Sequence, residues 1–121
     1  MRHLFILIPT LVLTACVTAK PAPDAFNDAE AAIDAAIRAG AEEHSPVELR
    51  FAREKLEEAR KGMAFKQYDK SIYLIEQSEI NSELAIEKSR AAGVRARVTE
   101  LARENEILRE DFEATFGEDF R

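Results

Sequence analysis

Apolar and small residues between positions 24 and 92 recur at steps of three and four, which is the spacing along one face of an α-helix. Three such stripes follow one another, and a glycine stands near the end of each of the first two, at Gly40 and Gly62. The pattern therefore predicts three helices. The stripes consist of Phe26, Ala29, Ile33, Ala36 and Ile37, then of Leu49, Ala52, Leu56, Ala59 and Met63, and then of Ser71, Ile75, Ser78, Ser82, Ala85 and Ser89.

The second and third predicted helices have the features of a tight antiparallel pair. The third stripe is built mainly from serine and alanine, and small side chains let two helix backbones approach closely. A short connection around residues 65–68 joins the two helices, so we expect them to pack in opposite directions. Ser45, Pro46 and Glu48 predict a capping box at the start of the second helix. Asp69 is the expected cap of the third.

A different stripe begins after Gly93, which we expect to mark a kink or a change of packing partner. It has the four-three spacing of a heptad repeat with an asparagine at an a position, and such an asparagine favours a fixed register and a defined oligomer. Glu104 and Arg109 flank the stripe at positions that attract each other between parallel chains. Two arrangements stay open, self-association or folding back on the body. The predicted seam consists of Val98, Leu101, Asn105, Leu108 and Phe112.

An acidic tail carries phenylalanines every four residues, at Phe112, Phe116 and Phe120. Such a stripe either covers the protein's own core or docks into a groove of a partner. Taken together, the stripes predict an all-α fold, with an antiparallel helical hairpin or three-helix arrangement in residues 24–92. Residues 93–121 are expected to form a long C-terminal helix of coiled-coil character.

The first fifteen residues have the layout of an export signal. Arg2 and His3 precede an apolar run of ten residues, which as a helix would reach only about 15 Å, about half of the hydrocarbon thickness of a bilayer. Leu13-Thr14-Ala15-Cys16 then resembles the lipobox of bacterial lipoproteins. The resemblance implies that Cys16 is acylated and becomes the first residue of the mature chain. Cleavage after Ala19, as in a simple secreted protein, is the alternative. Residues 16–23 are expected to form a lipidated tether.

Charge and composition narrow the function classes. The net charge is −6, whereas nucleic-acid binding requires a basic face, so we expect no nucleic-acid partner. His44 has no other histidine or cysteine at metal-ligand spacing, and the chain has neither a nucleophile elbow nor a glycine-rich phosphate loop. We therefore expect no catalytic residues, metal, cofactor or small-molecule substrate. Arg90, Arg95 and Arg97 form a locally basic stretch, either a solvated face or a contact for an anionic lipid, glycan or protein.

One family resemblance covers residues 24–92. Its pattern of small and apolar residues, with Ser45-Pro46 between the two longest matching stretches and Tyr68-Asp69 further on, resembles domain-of-unknown-function family 4398. Ser71, Ser78 and Ser82 stand where the family tends to have alanine. Members are bacterial lipoproteins or envelope proteins, so the resemblance implies a helical body in the envelope and carries no activity with it.

The sequence thus favours a non-enzymatic envelope lipoprotein of a Gram-negative bacterium, lipid-anchored in the outer membrane and facing the periplasm. Val17 follows the cysteine in place of an aspartate, and by resemblance to sorting signals this favours the outer membrane. We expect the membrane and an envelope protein as partners. The alternative is a structural spacer that self-associates through residues 94–112.

Overall fold

A computed structural model describes residues 20–117, and this part of the chain is helical and contains no β-strand. The predicted all-α class is confirmed. Three long helices are present, and a single helical turn separates the first two of them. The elements are α1 (Ala25–Arg38), α2 (Ala41–His44), α3 (Pro46–Ala64) and α4 (Tyr68–Phe116).

Helices α3 and α4 form the predicted antiparallel hairpin. Contacts between the two helices pair residues late in α3 with residues early in α4, and the reverse: a β-carbon at Gly62 would meet Ser71, and Ser78 bonds the carbonyl of Ala52. Helix α1 packs against both, with Glu30 forming an ion pair with Arg60 of α3. The three long helices therefore form an up-down-up bundle. Its buried apolar residues are Ala29, Ile33, Ala36, Ala41, Leu49, Ala52, Leu56, Ala59, Leu74, Ile75 and Ala85.

Helix boundaries follow the sequence signals, with two exceptions. Gly40 ends α1 with a left-handed backbone (φ +84°), and its amide donates to the carbonyl of Ile37 at 2.9 Å. Pro46 opens α3 as predicted. The capping box was wrong, because the Ser45 hydroxyl makes no backbone cap and instead donates to the Glu48 carboxylate at 2.7 Å. Asp69 lies inside the first turn of α4 and is not its cap.

The serine stripe of α4 is buried, as predicted for close packing. We call Ser71, Ile75, Ser78, Ser82, Ala85 and Ser89 the inner seam. The four serines bury their hydroxyls without leaving them unpaired, because each donates to a carbonyl. Three of these bonds return to the carbonyl four residues earlier, and Ser78 bonds across to Ala52 of α3 at 2.8 Å. Serine therefore fills the narrow space between the helices at little electrostatic cost.

Helix α4 continues without interruption through Gly93 and measures 49 residues, or about 74 Å. Residues 93–117 are all exposed, so this segment projects from the bundle as a single helix. Of the two arrangements that the sequence left open, residues 93–117 therefore do not adopt the fold-back onto the body. The division of the chain at residues 92 and 93 is a change from packed to solvated helix, with no change of element. Within residues 20–117, no helix is both long and apolar enough to cross a membrane.

Candidate interaction surface

The apolar face that α4 leaves uncovered is a second seam along most of the helix. We call it the outer seam. Its positions follow one heptad repeat without a change of phase, and a charged residue, Glu87, occupies the remaining position between its second and third members. The outer seam consists of Ile80, Leu84, Ala91, Val94, Val98, Leu101, Asn105, Leu108 and Phe112.

The outer seam faces solvent along its full length. Leu84, which lies opposite the packed bundle, is 45% exposed, and Val94, on the projecting part of the helix, is 64% exposed. At 3.6 residues per turn the outer seam lies roughly 150° around α4 from the inner seam. Helix α4 therefore presents two faces, one packed against α1 and α3 and the other free.

The sequence prediction identified only the second half of this surface. The predicted residues from Val98 to Phe112 are all exposed on the projecting helix, and the structure brings them onto one face. The predicted seam does not include Ile80 and Leu84, which lie on the same face of α4. A seven-residue period identifies both residues. Counted back from Ala91 it reaches Leu84, and counted back from Val94 it reaches first Glu87, which interrupts the apolar pattern, and then Ile80.

Two sets of side chains on the projecting segment, Asn105 and the pair of phenylalanines, make contacts within a single chain. The Asn105 side-chain amide donates to the carbonyl of Leu101 at 2.9 Å, which leaves its side-chain oxygen free of bonds to residues 20–117. The ring centroids of Phe112 and Phe116 lie 5.2 Å apart. Phe112 is 56% exposed and Phe116 is 45% exposed. Of the two readings of the phenylalanine stripe, Phe112 and Phe116 therefore do not cover the protein's own core. Phe120 lies outside the described residues.

The three arginines of the basic stretch do not gather into one patch. Arg90 and Arg97 are seven residues apart on one flank of the outer seam, whereas Arg95 lies on the other flank. Arg90 forms an ion pair with Glu87 at 2.6 Å. Within residues 20–117, Arg95 and Arg97 form no ion pair, so their guanidinium groups are available to a ligand or partner.

A further ion pair lies where α4 leaves the bundle. Lys88 of α4 donates to the carboxylate of Glu48 on α3, which also accepts the Ser45 hydroxyl. Mainly because of Lys88, and next because of Ser45, the pKa of Glu48 falls from 4.5 to about 2. The pair joins the first turn of α3 to the last packed turn of α4.

A cleft lies at the end of the bundle opposite the ion pair of Lys88 with Glu48. Lys20, Pro21 and Ala22 run across α1 and α4 beside this cleft of about 280 Å³, whose lining includes Ile72 and Glu79. Burial first, and then the neighbouring carboxylates of Asp28, Glu76 and Glu83, raise the pKa of Glu79. Residues 20–117 contain no group of three or more His, Cys, Asp or Glu residues arranged to hold a metal ion.

Two expected features concern residues near the N-terminus. Cys16, the predicted lipidation site, lies outside the described residues. The tether predicted for residues 16–23 is described only from Lys20, and there Pro21 is buried against the bundle. The N-terminal segment therefore approaches α4 near residues 72–79, at the end of the molecule away from the projecting helix.

Comparison with known families gives one match. The sequence model of the domain of unknown function DUF4398 matches residues 24–101. The match covers the three-helix bundle and continues past residue 92 into the projecting part of α4, as far as Leu101. No curated protein and no solved structure matches the chain.

Proposed function

The chain belongs to the DUF4398 family, and we propose that it is a non-enzymatic lipoprotein of the bacterial envelope that binds a protein partner through its outer seam. The observation that carries this proposal is the uncovered apolar seam of α4, which runs from the half that packs against α1 and α3 into the half that projects from the bundle. Large contiguous apolar surfaces are unusual on monomeric soluble proteins and commonly mark interaction sites. Seam residues Val98 and Leu108 are 60% and 64% exposed.

The proposed anchor is a lipid on Cys16 in the outer membrane of a Gram-negative cell, with the body in the periplasm. Its support is the lipobox-like sequence Leu13-Thr14-Ala15-Cys16 after a short apolar run. More than one acyl chain gives stable attachment, whereas a single chain binds only marginally.

The geometry of the described residues fits such an anchor. The N-terminal segment lies beside residues 72–79 of α4, and the last helical residue, Phe116, is about 60 Å farther along the same helix. A chain held by its N-terminus would therefore direct the projecting half of α4 away from the anchored end. The outer seam would then be presented at a distance from the anchor.

Membrane attachment is tested by fractionating cells that express the full chain beside a Cys16→Ser variant, with intact mass measured on both. Under the proposal, the wild-type chain begins at Cys16, carries acyl groups and sediments with membranes, whereas Cys16→Ser loses this mass and this location. Thr18→Ser is the matched control, since it changes a neighbouring residue and leaves the cysteine. An unmodified wild-type chain that begins at Lys20 would contradict the anchor.

A second candidate function is structural, namely a spacer of the cell envelope made from self-associated chains. The observation that favours it is the regular heptad spacing of the outer seam, which is the pattern of a coiled-coil interface. An irregular apolar patch would not carry this spacing.

A further inference from the structure

We propose that the partner of the outer seam is a second copy of this chain, in a parallel and in-register dimer that extends from Ile80 to Phe112. The inference rests on the proposed function only in taking the outer seam as the interaction surface. It does not depend on the lipid anchor.

The length of the seam is the first argument. From Ile80 to Phe112 the heptad phase is kept for 33 residues, or about 50 Å of helix, and all its members are exposed. Sustained heptads of this length indicate a coiled coil, whereas residues 94–112 alone contain too few heptads for that assignment. The packed bundle does not block the first part of the seam, because the inner seam lies on the far side of α4.

Asn105 is the second argument. In a parallel in-register pair, residues at a positions meet their own counterparts, so Asn105 faces Asn105 of the second copy and the two amides can bond each other. In an antiparallel pair that uses the whole seam, Ile80 faces Phe112 of the second copy and Asn105 faces Glu87. Glu87 presents only acceptor oxygens when ionised, so the free side-chain oxygen of Asn105 would have no donor at that layer.

Flanking charges also favour the parallel arrangement. In a parallel dimer each g position faces the following e position of the other chain. Glu83 then faces Lys88, and Glu104 faces Arg109, which gives two attractive contacts on each side of the interface.

The antiparallel arrangement over the same seam brings like charges together at three kinds of flanking contact and opposite charges at one. Such flanking contacts between equal charges are destabilising, so charge complementarity favours the parallel orientation. The like-charged pairs are Glu83 with Asp111, Arg95 with Arg95 and Arg97 with Arg97, and the opposite-charged pair is Arg90 with Glu104.

The least favourable layer of the parallel dimer lies near its middle. There Glu87 occupies a d position, and Arg90 faces Arg95 of the second copy. Within each chain Arg90 is paired with Glu87 at 2.6 Å, so each copy brings a neutralised pair to this layer. This pairing reduces both the repulsion between the two glutamates and that between the arginines.

Site-specific cross-linking of the full chain in isolated membranes tests the dimer. Asn105→Cys places a thiol on the seam, and Glu106→Cys places one on the next residue, which faces away from the interface. A short bismaleimide should join Asn105→Cys chains into a homodimer and leave Glu106→Cys chains single. The wild-type chain under the same conditions reports any reaction of Cys16. No homodimer from Asn105→Cys, or equal yields from both variants, would overturn the proposal.

A charge exchange tests the orientation. In the Asn105→Cys chain, Arg109→Glu should lower the cross-linked yield several-fold, and adding Glu104→Arg should restore it. A shorter antiparallel pairing, over residues 91–115, would place Arg95 opposite Arg109. There Arg109→Glu would raise the yield, and that result would overturn the parallel register.

Failure of this inference and failure of the proposed function give different results. A chain without a lipid can still cross-link through Asn105→Cys from the soluble fraction. A lipidated chain whose seam binds a different protein would sediment with membranes and yield no homodimer.

Discussion

Serine hydroxyls are the residue-scale device that brings α3 and α4 close together. A serine is nearly as small as alanine, and a hydroxyl that bonds to a carbonyl can be buried without leaving a donor unpaired. Ser82 and Ser89 bond carbonyls within α4, and Ser71 bonds the carbonyl of Gln67 just before the helix. Only Ser78 reaches the neighbouring helix. The four serines therefore contribute differently to the stability of the hairpin.

Replacing Ser78 should be more costly than replacing Ser82. Ser78→Ala removes the bond to the carbonyl of Ala52, which should lower the free energy of unfolding by about 1 kcal/mol. Ser82→Ala removes only a bond to the carbonyl of Ser78, one turn back in the same helix, and should be nearly neutral. Urea unfolding of both variants at one protein concentration measures the difference. An equal loss of unfolding free energy in the two variants would show that the bond between the helices contributes no more to stability than the bond within α4.

Glu48 makes the stability of the bundle depend on pH. Its pKa is 4.5 when the chain is unfolded and about 2 when it is folded, so the folded state favours the ionised carboxylate. The stabilisation is fully present above about pH 4.5 and is lost as the pH falls towards about 2. Glu48→Gln should therefore lose less stability than the wild type when the pH is lowered across this window.

Urea midpoints at neutral pH and at about pH 3 measure this effect. Glu58→Gln is the control, because it removes the same charge from α3 without touching the contact to Lys88. If Glu48→Gln and the wild type respond equally to acid, the ion pair between α3 and α4 does not stabilise the fold.

At the scale of elements, the central feature is that one helix serves two purposes. The first half of α4 is held by the bundle, and its second half continues as a single solvated helix. An isolated helix is marginally stable in water, because most helical stability in proteins comes from packing. The packed half removes the nucleation cost for the projecting half, and ion pairs such as Arg109 with Glu106 at 2.6 Å add small contributions.

Two glycines of the helical hairpin should respond in opposite ways to alanine. A β-carbon at Gly62 would lie 2.7 Å from the Ser71 hydroxyl oxygen, so Gly62→Ala should destabilise the fold by about 1–3 kcal/mol. At Gly93 a β-carbon would meet nothing within 4 Å, and Gly93→Ala should stabilise α4 by up to about 1 kcal/mol. Thermal unfolding of both variants tests this. A destabilised Gly93→Ala chain would indicate that α4 is kinked or packed at that residue.

The sequence was sufficient to predict the packed helices, but it was insufficient to predict what the projecting half of α4 packs against. Stripe spacing located the helices because burial imposes a helical period on apolar residues, as the inner seam illustrates. The same spacing after Gly93 could not reveal whether its partner is the chain's own body or another molecule. Glu87 hid the continuity of the outer seam, since one charged residue at a seam position makes the pattern look as if it begins at Val94. Ser45 illustrates a local limit, because its hydroxyl could bond either a backbone amide or Glu48.

At the scale of the whole molecule, the bundle acts as a base from which α4 extends. Every buried residue of the described chain lies between Pro21 and Ser89, so the projecting half adds no core and exposes apolar surface. A chain anchored near one end and extended at the other is suited to reaching a partner at a distance from the membrane. In the parallel dimer, both copies would have their N-termini on the same side, which one membrane can accommodate.

The native mass of the full chain in detergent, measured by sedimentation equilibrium, tests most directly whether the outer seam is occupied by a second copy. The wild-type protein should have the mass of two chains, and Leu101→Asp, which places a charge on the seam, should have the mass of one. Thr99→Asp adds the same charge two residues away, off the seam, and should remain a dimer. A wild-type protein with the mass of one chain at every concentration, or a Leu101→Asp protein that remains a dimer, would contradict the account.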